Sequence, residues 1–126
     1  TMLTTPEEAK KFVELTDVDS LAVSIGTAHG EYKGTPHLNF ERLQEIAAEV
    51  SVPLVLHGGS GSGDENLSKA VELGICKVNI CTDLLNAARD NTKDGYAERS
   101  YYDSVTLAKD GIKDCLKHYY EVFHTK

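Results

Sequence analysis

The 126-residue chain has no apolar run of the ~20 residues that would cross a bilayer, and no apolar leader of the secretory type. Positive charge is in deficit. The net charge is −7, which argues against nucleic acid or an anionic membrane surface as partner. A small phosphorylated ligand is not excluded, because it responds to local donors rather than to net charge. The three cysteines, Cys76, Cys81 and Cys115, form no C-x-x-C pair. They read as free thiols of a reducing compartment, which makes the cytoplasm the expected location. Low-complexity segments are missing, as is any linker long enough to separate domains. Residues 1–126 therefore read as one small domain or as a portion of a larger one. At 40% hydrophobic residues, the composition is globular and not that of a disordered tail.

What is present is an alternation of strand and helix signals. Thr5-Pro6-Glu7-Glu8 combines a capping box with proline at the first helical position, and Ala9, Phe12 and Val13 supply an apolar face. Leu21–Ile25 reads as a strand running into Gly26-Thr27-Ala28-His29-Gly30. Phe40, Leu43, Ile46, Ala47 and Val50 recur at helical spacing. Val52–Leu56 is a short apolar run suited to a buried parallel strand. It delivers His57 into a stretch rich in glycine and serine, after which Asp64 opens a helix that stops at Gly74. Lys77–Ile80 reads as a third strand, and Thr82 or Asp83 can cap the helix that follows. A long final helix runs from about Tyr101 to Phe123. Repeated strand–loop–helix units specify a parallel α/β arrangement. Three such strands need cover on both faces, so the chain reads as part of a larger α/β sheet or barrel. In a barrel, the C-terminal ends of the strands would share one rim.

Three strand ends then carry His29, His57 and Asn79. Adjacent strands lie ~4.8 Å apart and zinc–nitrogen bonds are ~2.0–2.1 Å long, so both imidazoles can reach one divalent ion. The same spacing also fits two strand-end histidines bonded to nearby carbonyls, and two ligands fall short of the three usual at catalytic zinc. His37, His118 and His124 read as surface residues. The glycine run after His57 fits neither a P-loop, since no Gly-Lys-Ser/Thr follows, nor a dinucleotide fingerprint, nor the G-x-S-x-G elbow of serine hydrolases. A bare loop leading into a helix N-terminus can cradle phosphate, with the Ser60 hydroxyl as an added donor. A plain flexible turn is the competing reading.

Three segments in order, SLAVSIGTAHGEYKG, PLVLHGGSGSGDENL and ELGICKVNICTDL, closely resemble the C-terminal half of class II ketose-bisphosphate aldolases. Those are zinc-dependent enzymes of carbohydrate metabolism and glycolysis on a (β/α)8 TIM barrel, and they act on fructose- or tagatose-1,6-bisphosphate. The resemblance implies an α/β fold that is the C-terminal part of such a barrel, about its last three strands with their helices. It implies that His29 and His57 are metal ligands for Zn2+ or another divalent ion. Gly30, Gly58, Gly59 and Ser60 would hold dihydroxyacetone phosphate, together with Asn79, Ile80, Cys81 and Thr82. Asn79 would lie near the reacting carbons, and Lys33 would offset phosphate charge. Carbonyls around Ala28, Gly30, Gly58 and Ser60 match a monovalent-cation site for Na+ or K+.

The remaining metal ligands and the catalytic aspartate belong to the family's N-terminal half, which would have to join this chain as a partner. The resemblance places a mobile loop with a catalytic acid/base just upstream of Thr1, and the 126 residues alone would be inactive. Relatives carry an arginine directly before a tyrosine pair, whereas Ser100 precedes Tyr101-Tyr102 here and Arg99 stands one place earlier. Members assemble as dimers or tetramers. Two other functions fit the same residues: a non-catalytic phosphate-binding chain on this fold, and an aldolase for another phosphorylated sugar acid.

Overall fold

A computed structural model describes residues 2–125, so Thr1, ahead of which the mobile loop is expected, lies outside the described residues. The chain divides into two compact units, one up to Ile80 and one from Cys81 onward. None of the described helices is long and apolar enough to cross a membrane.

The first unit begins with helix α1 (Pro6–Thr16). The side chain of Thr5 accepts from the Glu8 N–H, and the Glu8 carboxylate accepts from the Thr5 N–H, so the expected capping box is formed. Strands β1 (Leu21–Ala22), β2 (Leu54–Leu56) and β3 (Ile75–Val78) form a parallel sheet in that order. Helices α2 (Phe40–Glu49) and α3 (Asp64–Glu72) fill the two crossovers. All of β2 is buried, with Leu54 at 2% and Leu56 at 0% exposure. Ile25, Leu38, Leu43, Ile46, Leu67 and Ile75 pack into the same core. Burial of each such side chain contributes about 1.5–3 kcal/mol.

β1 and β2 are shorter than the sequence reading, and β3 keeps its four residues but lies two places earlier, at Ile75–Val78 instead of Lys77–Ile80. β1 ends because Ser24 turns both backbone groups to Thr4: its N–H donates to the Thr4 hydroxyl and its C=O accepts the Thr4 N–H. Pro53 has no N–H to donate, so regular β2 begins after it, although its carbonyl still accepts from Leu21. β3 begins at Ile75 because that buried side chain pairs opposite Leu54. The exposed Cys76 and Lys77 hide the strand from any apolar pattern.

The second unit holds α4 (Thr82–Thr92), a short 3-10 turn at Tyr96–Glu98 and α5 (Tyr101–Val122). Neither Thr82 nor Asp83 caps α4. Its N-cap is Cys81, with no side-chain cap bond, and the Cys81 carbonyl accepts the Leu85 N–H. The Asp83 carboxylate instead accepts the Tyr119 hydroxyl of α5. Asn91 donates to the Leu107 carbonyl at 2.7 Å, and Gly111 permits close approach of the helices. Ser100 caps α5 by accepting from the Asp103 N–H.

Candidate metal and phosphate site

The loops that follow β1 and β2 lie against each other. His29 Nε2 stands 3.3 Å from His57 Nδ1, with ring centroids 5.4 Å apart and the ring planes at 78°. Two nitrogens bound to one tetrahedral ion through ~2.0–2.1 Å bonds are separated by about 3.3–3.4 Å. The spacing and the donor type of this pair therefore fit a shared zinc-like ion. Among the described residues no third His, Cys, Asp or Glu joins them. Both imidazoles are exposed, and they border a hollow of about 250 Å³ lined also by Ser24, Thr27 and Ala28.

Asn79 enters from the neighbouring strand end. Its N–H donates to the Leu56 carbonyl at 2.9 Å, which extends the β2–β3 ladder and carries its side chain to the histidines. Asn79 Nδ2 lies 2.9 Å from His57 Nε2 and 3.1 Å from Nδ1. The Lys77 ammonium donates to Asn79 Oδ1, and this turns the amide nitrogen toward the imidazole. Three of the residues singled out in the sequence thus meet at one place, and Lys77 is a fourth that the sequence gave no reason to select.

The glycine loop owes its shape to crowding. Gly58 has φ +68°, and a Cβ there would stand 2.1 Å from the Ala28 carbonyl oxygen. Gly59 donates its N–H to the Asn79 carbonyl at 3.1 Å and is buried against the side chains of Val78 and Ile80. Ser60 is buried and Ser62 fully so, the latter donating to the Gly58 carbonyl at 3.1 Å. Gly30 sits in an exposed loop where a Cβ would meet nothing within 4 Å. Lys33 is exposed a few residues further on, as is His37. Ile80 is half-buried beside Gly59.

In the second unit, Cys81 and Thr82 head α4, whose first turn has no side-chain cap. Arg99 has a local task there: its guanidinium donates to the Thr92 carbonyl at 3.2 Å and to the Asp94 carbonyl at 2.6 Å, closing the end of α4. His118 and His124 are exposed on and beyond α5.

Two side chains the sequence reading passed over tie the histidine loops together. The Thr27 hydroxyl donates to the His57 carbonyl at 2.6 Å. The Tyr32 hydroxyl accepts the Ala28 N–H at 2.6 Å and lies 2.7 Å from the Ala28 carbonyl and 2.9 Å from the Gly58 carbonyl. The one proton of this hydroxyl is shared between two of the carbonyls that the resemblance assigned to a monovalent cation. The only sequence trace of this is a tyrosine three places after His29, close enough for the loop to fold back on itself.

The whole chain, residues 1–126, matches the family described as fructose-bisphosphate aldolase class-II. It is similar in structure to the YdjI aldolase from Escherichia coli K12, with a TM-score of 0.89 and 40% identity, over 96% of this chain and 46% of that one. A protein from Coccidioides immitis, assigned as a fructose-1,6-bisphosphate aldolase, matches with a TM-score of 0.90 and 28% identity over 98% and 44% of the respective chains. The fructose-bisphosphate aldolase from Campylobacter jejuni shares the fold at a TM-score of 0.70 and 24% identity, over 97% and 45%. The chain spans less than half the length of each of these neighbours. Its α/β architecture, a three-stranded parallel sheet with five helices, matches part of these TIM-barrel aldolases, in keeping with the α/β fold that the sequence led us to expect. By sequence and by fold, the chain belongs to the class II fructose-bisphosphate aldolase family.

Proposed function

We propose that this chain supplies two histidine ligands and a phosphate-binding loop to a metal-dependent aldolase. The reaction is the reversible cleavage of a ketose 1,6-bisphosphate, with fructose or tagatose as the sugar, into dihydroxyacetone phosphate and glyceraldehyde 3-phosphate. The observation that carries the reading is the 3.3 Å separation of His29 Nε2 and His57 Nδ1.

Aldol cleavage next to a ketone builds negative charge on the ketone oxygen as the carbon–carbon bond breaks. A divalent metal, when bound, acts as a Lewis acid that stabilises this charge. His29 and His57 are the residues of this chain that would hold it, as neutral imidazoles offering one nitrogen each. Asn79 presents amide N–H donors at the same place, oriented by Lys77, and would steady the enediolate oxygen. Gly30, Gly58, Gly59 and Ser60 would hold the phosphate of the triose, with Ile80 beside Gly59. Lys33 would lower the cost of bringing that phosphate's charge in. Cys81 and Thr82, which open the second unit, are assigned to phosphate contact by the family resemblance. Grip on the phosphate, remote from the reacting carbon, is converted into orientation of the bond to be broken.

The reading places residues 1–126 within one barrel domain completed by an N-terminal half, in a cytoplasmic enzyme that is a homodimer or homotetramer. By itself the 126-residue chain, with two ligands, would show no turnover. The test uses the intact protein that carries this chain. Triose phosphate release is measured from fructose- and tagatose-1,6-bisphosphate, before and after treatment with a chelator. Cleavage of at least one sugar, lost on chelation and restored by zinc, is the expected result. No cleavage of either, or cleavage indifferent to the chelator, would refute the reading.

A further inference from the structure

We infer that Tyr32 and Thr27 are positioning residues which set the distance between the two imidazoles, and with it the affinity of the site for a divalent ion. The inference rests on the reading of His29 and His57 as ligands. Each histidine sits on a loop that is itself free of regular structure, so nothing in the sheet alone holds the rings at ligating distance. Two hydroxyls cross from one loop to the other. Thr27, two residues before His29, donates to the carbonyl of His57 itself at 2.6 Å. Tyr32, three residues after His29, brackets the first loop on its other side. Its oxygen takes the Ala28 N–H at 2.6 Å and shares its one proton between the carbonyls of Ala28, at 2.7 Å, and Gly58, at 2.9 Å.

The anchored groups are the immediate chain neighbours of both ligands: Ala28 before His29, and His57 with Gly58. Moving either tether moves a ring. The Tyr32 ring is held in its turn, since a Cβ on Gly61 would lie 3.1 Å from Tyr32 Cδ2. The ring edge therefore rests against the glycine loop and aims the hydroxyl into the gap between the two loops. Neither hydroxyl touches an imidazole nitrogen in the hydrogen bonds described, so both act through the backbone. Outer groups that fix the orientation of metal ligands typically change metal affinity by about 10- to 100-fold when removed.

The test measures zinc affinity of the intact protein by competition with a chromophoric chelator, for the wild type and for Tyr32→Phe, which keeps the ring and loses the hydroxyl. The expected result is a Kd raised by about 10-fold or more, with activity restored by excess zinc. A protein whose fold had simply failed would not recover on adding metal. Should Tyr32→Phe prove insoluble, Thr27→Val carries the same test through the second tether, with the same expectation. A soluble variant that binds zinc as tightly as the wild type overturns the positioning role while leaving the histidine ligands intact. A wild type that binds no zinc overturns the ligand assignment, and the positioning role with it.

Discussion

Gly58 and the carbonyl of Ala28 are pressed together so closely that a methyl group on Gly58 would lie 2.1 Å from the carbonyl oxygen, at a backbone φ of +68°. This contact locks the loop after β2 onto the loop after β1, one residue away from each histidine. Gly58→Ala must therefore do two things. It strains a left-handed backbone, at about 1–2 kcal/mol, and it drives His57 away from His29. Loss of zinc affinity larger than that of any other single glycine substitution in the loop is the expected outcome, read by the same chelator competition. Wild-type affinity in Gly58→Ala would show that the loops can separate without moving the rings.

Gly111 offers a test in which two physical effects have opposite sign. On helix propensity alone, alanine in place of a mid-helix glycine stabilises by about 1 kcal/mol. A Cβ at Gly111 would, however, stand 2.6 Å from the Ala87 carbonyl oxygen and 2.9 Å from Asn91 Cβ. Backbone cannot yield as a flexible side chain can, and overpacking of this kind costs about 1–3 kcal/mol. Gly111→Ala should be net destabilising in a urea unfolding measurement. A raised midpoint would mean that α4 and α5 part easily.

The capping box at α1 makes a pH prediction. Hydrogen bonds from the backbone N–H and then the hydroxyl of Thr5 hold the Glu8 carboxyl below its ordinary value. A depressed carboxylate contributes stability that is present above the ordinary carboxylate range and is lost as the pH falls through the folded value. The stability difference between the wild type and Glu8→Ala should thus be present at neutral pH and shrink in acid. Thr5→Ala should cost about 1 kcal/mol at neutral pH. Thermal unfolding across a pH series checks both, and a difference that grows in acid would reverse the sign assigned to Glu8.

Much of this could be read from the sequence, for reasons particular residues make plain. The box at Thr5–Glu8 is local chemistry, complete within four residues, and it formed as read. His57 was legible as a strand end because the apolar run Val52–Leu56 stops directly before it, and the side chains of His29, His57 and Asn79 do meet. The lengths of β1 and β2 were not legible. Thr4 takes up Ser24 from outside β1, and no pattern within the strand announces that. The start of β3 was hidden by Cys76 and Lys77, whose exposure interrupts the apolar signal. The caps of α4 were misread because Asp83 is drawn to Tyr119, which lies 36 residues further on. Arg99 stands one place before the position where relatives carry an arginine, and its bonds to Thr92 and Asp94 are those of a helix-end clasp. Tyr32 and Thr27 went unnoticed because a hydroxyl acquires its meaning from the loop it reaches, and that loop arrives only with the fold.

Direct metal analysis bears on the central claim most simply. Intact protein is purified without added chelator, and bound zinc and other divalent ions are quantified per chain for the wild type, His29→Ala and His57→Ala. Close to one ion per chain in the wild type, falling far below stoichiometry in each variant, is the predicted result. Full occupancy retained in both variants would contradict the claim that these two imidazoles hold the ion between them.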